Sequence, residues 1–388
     1  MSKVHLTFSK IEDLRDFLAD PAAHQNTIEL KLELKFNLAT EPSETIGLLS
    51  QFRQLQSLEF IRISISKNPY SMGALALASV LPQIAKLKKL TLRGQSINRY
   101  ETKALLRAFK DCRTLTDLGF LENEMGLTEA REIAAYLRED QKLTHLNLSD
   151  NFTIYYPHEW LQEWDGNQYK RGALAVNEIL NSLHQNTTLT HLNLAGNLLL
   201  GNPDPDLVEA TDQALIDFLR LNKGVKQLNL RNNYLGNYSH EKSLLNQNLN
   251  FPQSLKYNQT LNRLFLDHND FSSQMIVNIL EGVGESSIHD LTFTTDTFVE
   301  RDQDTLSSEI IHFLKTNRTL TGLILDNTHS RSYEWAEFFS ALQLNPTLKR
   351  LSLRNAELSI ESIQAMAKAL KNHNPLTHLG LYDGKLLE

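Results

Sequence analysis

The sequence contains one cysteine, Cys112, and a cysteine thiolate can serve as a nucleophile or a metal ligand. Cys112 lies three residues before Leu115, where comparable segments place an asparagine before a leucine, as Asn186 stands before Leu189. A position that recurs in this way favours a buried turn residue over a nucleophile. One cysteine also forms no disulfide within the chain, which fits a reducing compartment or indifference to redox conditions.

The 13 histidines are possible metal ligands, but they are scattered, and no H-E-x-x-H motif or second cysteine accompanies them. His145 and His191 differ from the rest, because each is the third residue of the phrase Leu-Thr-His-Leu-Asn-Leu. Strand spacing would place the pair roughly 5 Å apart if the residues between them loop out. We interpret them as a surface pair, with a metal-binding pair as the alternative. The chain has no P-loop, and we expect no catalytic residue, no metal and no cofactor.

Relatives of this phrase return along nearly the whole chain in the frame L-x-x-L-x-L-x-x-N. The spacings from Leu55 onward are 32, 28, 28, 46, 36, 36, 27, 32, 28 and 28 residues, so the base period is 28. A weaker copy begins near Thr27. The frames begin at Leu55, Leu87, Leu115, Leu143, Leu189, Val225, Leu261, Ile288, Leu320, Leu348 and Leu376.

One unit, which begins at Leu115, shows the elements that this frame predicts. Leu118 and Phe120 alternate with other residues, as in a strand with one buried face. Asn123 follows where the chain must turn, and its amide can pair with backbone groups there. Thr128 is expected to cap a helix whose buried face is formed by Ala130, Ile133, Ala134 and Leu137.

With its 28-residue period and helical return segments, the chain resembles the ribonuclease-inhibitor-like class of leucine-rich repeats. The resemblance implies an α/β fold: a curved solenoid of about 12 repeats, with parallel strands on the concave face and helices on the convex face. It covers residues 27 to 388, and we take residues 1 to 26 as an N-terminal cap. The turn asparagine is replaced at Asp296, Thr328, Ala356 and Gly384, which predicts a less regular turn stack in the C-terminal third.

The three largest spacings are consecutive and exceed the period by 18, 8 and 8 residues (46 − 28, 36 − 28 and 36 − 28), which predicts insertions on one rim near 152–171, 198–210 and 234–256. The first insertion is rich in aromatic residues, which favour protein recognition. The alternative is a small aromatic core that fastens the insertion to the rim. The aromatic residues that we expect to contact a partner are Tyr155, Tyr156, Trp160 and Trp164.

Outward positions between the strand leucines form a polar stripe on the predicted concave face. Such a stripe can bind a protein surface, although any such sheet must also present groups that water can solvate. Near the insertions the stripe consists of His145, Asn147, Ser149, His191, Asn193, Gln227, Asn229, Arg231, Arg263, Phe265 and Asp267.

Together these features predict a non-enzymatic protein-interaction module, monomeric, that binds a protein partner. The net charge of −7 argues against generic binding to nucleic acid or acidic membranes. The N-terminus lacks a secretory signal, and the longest apolar run is too short to span a membrane, so we expect an intracellular protein. Its composition also resembles leucine-rich effectors that intracellular bacterial pathogens deliver into the host cytosol, which implies a host protein as partner. The alternative is a recognition subunit that delivers a target to a modifying enzyme such as a ubiquitin ligase.

Overall fold

A computed structural model of the chain forms two compact units, Met1–Asn197 and Leu198–Glu388. Each unit is built from its own run of repeats. The predicted division into a cap and a solenoid stays a prediction. The structure describes residues 2–8, 11–20, 26–34, 51–61, 73–94, 96–139, 142–152, 167–200, 204–236, 249–269, 271, 273–293, 308–326, 332–356, 358–371 and 375–381.

In the first unit, short parallel strands alternate with return helices. The strands are β1 (Ser2–Phe8), β2 (Thr27–Leu34), β3 (Ser57–Ile61), β4 (Lys89–Arg93), β5 (Asp117–Leu121), β6 (His145–Asn147) and β7 (His191–Asn193). The helices are α1 (Ile11–Ala19), α2 (Gly73–Val80), α3 (Arg99–Asp111), α4 (Leu127–Glu139) and α5 (Asn167–Ser182), and a 3-10 turn at Leu81–Gln83 follows α2.

The second unit repeats this alternation. Its strands are β8 (Gln227–Asn229), β9 (Arg263–Phe265), β10 (Asp290–Thr292), β11 (Gly322–Ile324), β12 (Arg350–Ser352) and β13 (His378–Gly380). Its helices are α6 (Pro205–Leu221), α7 (Phe251–Ser254), α8 (Ser273–Gly284), α9 (Ser308–Thr316), α10 (Ser332–Leu344) and α11 (Ile360–Lys371), and a 3-10 turn at Leu255–Tyr257 follows α7.

Within each unit the strands pair in parallel and in chain order, with equivalent frame positions opposite each other. Leu118 pairs with Leu146, and Leu146 pairs with Leu192 across the 46-residue spacing. The same register continues in the second unit, where Leu323 pairs with Leu351. These leucines are at most 3 % exposed, so the predicted inward positions are confirmed. The outward residues Thr91 and Thr292 are buried as well, so the alternation is less strict than predicted.

The turn asparagines form a ladder of hydrogen bonds between neighbouring repeats. The Asn123 side chain donates to the Leu92 carbonyl at 2.9 Å, and the Asn123 backbone N–H donates to Asn151 Oδ1 at 3.1 Å. Asn151 bonds to Asn197 in the same way, at 3.0 Å. All three asparagines are fully buried, so each satisfies backbone groups that the turn would leave unpaired, as the frame predicts.

The replaced turn positions of the C-terminal third are described only at Ala356. It is buried, and its N–H donates to the Leu353 carbonyl at 3.3 Å, but its methyl side chain cannot bridge two repeats. Asp296, Thr328 and Gly384 lie outside the described residues, so the less regular turn stack stays a prediction for them.

A second set of asparagines connects several of the return helices to the next strand. Asn186 Oδ1 accepts hydrogen bonds from the N–H groups of Thr188 and Leu189 at 3.1 and 2.9 Å. Its Nδ2 donates to the Leu137 carbonyl of the preceding repeat at 3.0 Å. Repetition of this arrangement explains why the frame leucine so often follows an asparagine by three residues. In the same way, Oδ1 accepts the N–H of the frame leucine at Asn258, Asn317 and Asn345.

The predicted N-cap at Thr128 is wrong. Helix α4 begins at Leu127, so Thr128 lies inside the first turn. The carboxylate of Glu129 reaches back and accepts the Gly126 N–H at 2.7 Å, which is one half of a capping box. A glutamate at the third helical position was therefore a better marker of this helix start than the threonine before it.

The C-terminal parts of the three predicted insertions are return helices. Residues 167–171 begin α5, residues 205–210 begin α6, and residues 251–256 belong to α7 and the 3-10 turn after it. Helix α6, with 17 residues, is longer than α4, with 13, so part of the extra length in that repeat extends the helix. The central residues of each insertion, 153–166, 201–203 and 237–248, lie outside the described residues.

Candidate partner-binding surface

Counting the first residue of each frame as position 1, positions 3, 5 and 7 form one side of the strands in each unit, which we call the strand face. On the first unit it carries His145 and His191, opposite each other on β6 and β7. Their imidazole rings stack with centroids 3.9 Å apart and planes inclined by 19°. Stacked rings do not converge on one ion, so the geometry favours the surface pair over the metal-binding pair.

Neighbouring polar groups hold both imidazoles in place. The hydroxyl of Thr144 lies 2.9 Å from Nδ1 of His145, and that of Thr190 lies 2.8 Å from Nδ1 of His191. Asp117, at the same frame position on β5, brings its carboxylate within 3.1 Å of His145 Nδ1. The sequence interpretation did not include this aspartate, although the frame places it next to His145.

Three asparagines of the polar stripe use their side-chain oxygens within their own turns. Oδ1 of Asn147 accepts the Ser149 N–H, and Oδ1 of Asn193 accepts the Ala195 N–H, both at 3.0 Å. Asn229 accepts the Arg231 N–H in the same way at 3.1 Å. These asparagines therefore stabilise the strand ends through their side-chain oxygens.

On the second unit, Arg231, Phe265 and Asp267 come together as one cluster. Asp267 is nearly buried, and its carboxylate accepts hydrogen bonds from Arg231 Nε and, at 2.5 Å, from the Thr292 hydroxyl. The Arg231 guanidinium also lies over the Phe265 ring, 4.9 Å from its centroid, which is within the range of a cation–π interaction. The strand face here presents an arginine held in place from two sides.

Arg263 belongs to a neighbouring cluster around Asp290. The Asp290 carboxylate accepts Arg263 Nε at 2.8 Å and also accepts a guanidinium N–H of Arg350. Arg350 lies two strands beyond Asp290, and Gly322 occupies the equivalent position on the strand between them. A Cβ at Gly322 would lie 2.2 Å from Asp290 Oδ1, so this glycine makes room for the arginine and the aspartate to meet.

Four members of these clusters, Thr292, Asp290, Gly322 and Arg350, were not predicted as site residues. For three of them the sequence contained a signal. Asp290, Gly322 and Arg350 occupy position 3 of successive frames, as Arg263 does in the frame before them. The sequence interpretation followed the stripe only as far as Asp267, near the insertions. Aligning every frame, rather than those beside the insertions, would have placed opposite charges on neighbouring strands.

The predicted aromatic contacts Tyr155, Tyr156, Trp160 and Trp164 lie outside the described residues. Phe152, at the start of the same predicted insertion, is described and only 2 % exposed. Its backbone N–H donates to Asn197 Oδ1 at 3.1 Å, so Phe152 belongs to the core of the turn stack. Contact with a partner stays a prediction for the other four.

Cys112 is buried at the end of α3, where its carbonyl accepts the Lys142 ammonium at 2.7 Å. Burial raises the pKa of its thiol above the ordinary value, an effect that the Lys142 charge opposes and the Asp111 charge reinforces. A thiol with a raised pKa is a weak nucleophile at neutral pH, because the thiolate is the reactive form. The turn role predicted for Cys112 fits this environment.

Metal-binding clusters and membrane-spanning helices would indicate other kinds of function. The described ranges hold no group of three or more His, Cys, Asp or Glu side chains arranged to bind a metal ion. No helix within those ranges is both long and apolar enough to cross a membrane.

The parallel strands, the return helices and the asparagine ladder define the leucine-rich-repeat fold of the α/β class. The chain is similar to the solved structure of the leucine-rich repeat-containing protein LegL7 from Legionella pneumophila, with 18% identity over 91% of each chain and a TM-score of 0.47. It is also similar to TLR13, solved as a complex with ssRNA13, with 14% identity over 98% of this chain and 45% of that chain, and a TM-score of 0.46. The sequence matches no protein-family profile and no curated protein sequence.

Proposed function

We propose that this protein is a non-enzymatic interaction module that binds a protein partner through its strand face. The observation that carries the proposal is the exposure of Arg231, Arg263 and Arg350 on that face. Their side chains are 39 %, 45 % and 47 % exposed, although each is anchored to a largely buried aspartate. An exposed arginine that is already held in place suits a binding surface, because little side-chain entropy is lost when a partner binds it.

The side chains of the strand face also suit recognition better than catalysis. Arginine and aromatic residues dominate the binding energy of protein interfaces, and here Arg231 and Phe265 lie in contact. Cys112, the one cysteine, is buried with a raised thiol pKa, which supports a structural role. Steric occlusion or scaffolding is therefore the mechanism that we propose.

In its finer form the proposal includes the aromatic insertion and a host protein as partner. Residues 155 to 164 follow directly after β6 and its turn, so they belong to the repeat that carries His145. The composition, rich in Asn, Gln, His and Lys, resembles that of leucine-rich effectors of intracellular bacteria. A protein of that kind would act in the host cytosol as a monomer.

We expect Phe265→Ala to weaken binding of the partner by about 2 kcal/mol, the usual scale for an interface aromatic residue. The partner would be captured from host-cell and bacterial lysates, identified by mass spectrometry, purified and titrated by calorimetry. Tyr257→Ala is the matched control, because Tyr257 lies in the return segment and also has an arginine, Arg220, 4.9 Å from its ring centroid.

Equal affinities for the two variants would contradict binding through the strand face. A modifying enzyme that is still captured when the strand face is altered would instead favour the alternative of a recognition subunit.

For the aromatic insertion, we expect the double variant Trp160→Ala with Trp164→Ala to lose at least about 2 kcal/mol of binding free energy while remaining folded. Large rigid aromatic side chains bury much area at little cost in entropy, so their removal should act on affinity. Calorimetry with the same partner, and circular dichroism for the fold, would measure both effects. A double variant that binds like the wild type would show that these aromatic residues only pack the insertion against the rim.

A further inference from the structure

The second unit exposes three guanidinium groups on its strand face, although the chain as a whole has a net charge of −7. The aspartates that anchor these guanidinium groups are much less exposed. The side chains of Asp267 and Asp290 are only 8 % and 16 % exposed, whereas those of the three arginines that they anchor are 39 % to 47 % exposed. An approaching molecule therefore meets guanidinium groups first.

Arg263 and Arg350 contact the same aspartate although they do not lie on neighbouring strands. Their strands β9 and β12 are three spacings apart, roughly 14 Å at about 4.8 Å per strand. Asp290 lies between them and binds both guanidiniums, and Gly322 leaves the space in which Arg350 reaches it. The pair is fixed before any ligand arrives, which lowers the entropic cost of binding.

Each guanidinium keeps N–H donors that can bind a ligand. A guanidinium has five N–H donors in a planar fork, and the bond from Arg263 Nε to Asp290 uses one of them. The fork matches the two oxygens of a carboxylate. Arg231, stacked on Phe265, adds a third guanidinium beside an apolar ring.

We propose that Arg231, Arg263 and Arg350 form a binding site for the carboxylates of an acidic protein segment. This inference rests on the proposed function and names the chemistry of the partner. A protein segment fits better than a nucleic acid, because Asp267 and Asp290 are interleaved with the arginines, as is the half-buried Asp326 at position 7 of the frame that begins at Leu320. Separate carboxylates can bind the arginines at a distance from these aspartates. A continuous phosphate chain would pass close to each aspartate and be repelled by it.

The test uses the full chain and two fluorescein-labelled peptides, one of alternating glutamate and glycine and one of alternating lysine and glycine. We expect fluorescence anisotropy to show binding of the glutamate peptide only, weakening as NaCl rises from about 50 to about 300 mM, because salt screens exposed charges. Arg263→Gln and Arg350→Gln should each weaken this binding at least fivefold. Arg220→Gln, an equal loss of charge on α6, should change it less than twofold.

Gly322→Ala provides a variant that keeps every charge. Its methyl group would displace the Asp290 carboxylate and separate the two arginines, so we expect binding to weaken at least threefold. If circular dichroism shows that Arg350→Gln does not fold, Arg350→Lys replaces it, since lysine keeps the charge but loses the fork. Arg350→Lys should also weaken binding of the glutamate peptide.

The proposal is overturned if the glutamate peptide does not bind, if the arginine variants or Gly322→Ala bind it like the wild type, or if a labelled single-stranded RNA binds more tightly. These outcomes are distinguishable from failure of the proposed function. If the peptide fails but a captured partner still depends on Phe265, the strand face binds a partner of different chemistry. If the partner binds Phe265→Ala as tightly as the wild type, the proposed function itself is wrong.

Discussion

Leu192→Asp should unfold the central repeats of the chain, around β6 and β7, which end the first unit. Leu192 is 2 % exposed on β7 and pairs with Leu146, which is equally buried on β6. The substitution removes a packed side chain and places a carboxylate among leucines, and we expect a loss of about 4 kcal/mol or more. Since each repeat is stable only against its neighbours, the damage should extend beyond one repeat.

Circular dichroism during heating would measure this loss, and Asn193→Asp is the matched control. It introduces the same charge one residue later, on the strand face, where Asn193 is only half-buried. Aspartate also keeps the oxygen that accepts the Ala195 N–H. We expect the free energy of unfolding of the control to lie within about 0.5 kcal/mol of the wild-type value. An unchanged melting curve for Leu192→Asp would contradict the assigned frame.

The repeat frame predicted the fold because it records the packing of each residue directly. A leucine at position 4 must face the core in every copy, so Leu118, Leu146 and Leu192 could be aligned before any strand was seen. The turn asparagines were equally predictable, since a buried amide that satisfies the turn has few substitutes. The start of α4 was misplaced, because Thr128 and Glu129 are both residues that helix starts favour, and the sequence alone did not show which one would bond to the turn.

The candidate site was less predictable than the fold, because its geometry depends on the side chains of several strands at once. Arg263 was predicted from its outward position, but its partner Asp290 was not. The contact between Asp290 and Arg350 depends on Gly322, which lies between them and contributes by having no side chain. Aligning the frames places these residues on successive strands, but it does not show that one aspartate would contact two arginines past a glycine.

The frame also could not divide the extra residues of the insertions between loop and helix. In the repeat that begins at Leu189, part of that length lies in α6, which begins at Pro205. Proline is well suited to the first helical position, so Pro205 marked this helix start in the sequence. Spacing alone gave the number of extra residues but not their conformation.

Trp335→Ala should destabilise the second unit by about 3 to 5 kcal/mol, the usual cost of deleting a large buried aromatic side chain. Trp335 is fully buried on α10, stacked on Phe339 with ring centroids 5.7 Å apart and edge-on to Phe338 at 5.5 Å. Among the described residues its indole N–H has no hydrogen-bond partner, so the loss would come from packing alone. The conservative change Trp335→Phe should therefore cost much less than Trp335→Ala, because it also removes the unpaired N–H.

Chemical denaturation would measure both Trp335 variants, with Tyr333→Ala as the control on the same helix. Tyr333 is 56 % exposed, so its removal should change stability by less than about 0.5 kcal/mol. Because Trp335 lies in the helix layer, the folded fraction of Trp335→Ala should bind the partner with wild-type affinity, in contrast to Phe265→Ala. A stable Trp335→Ala variant would show that the three rings of α10 are not a packed core. A folded variant with reduced affinity would instead place part of the binding surface on the helices.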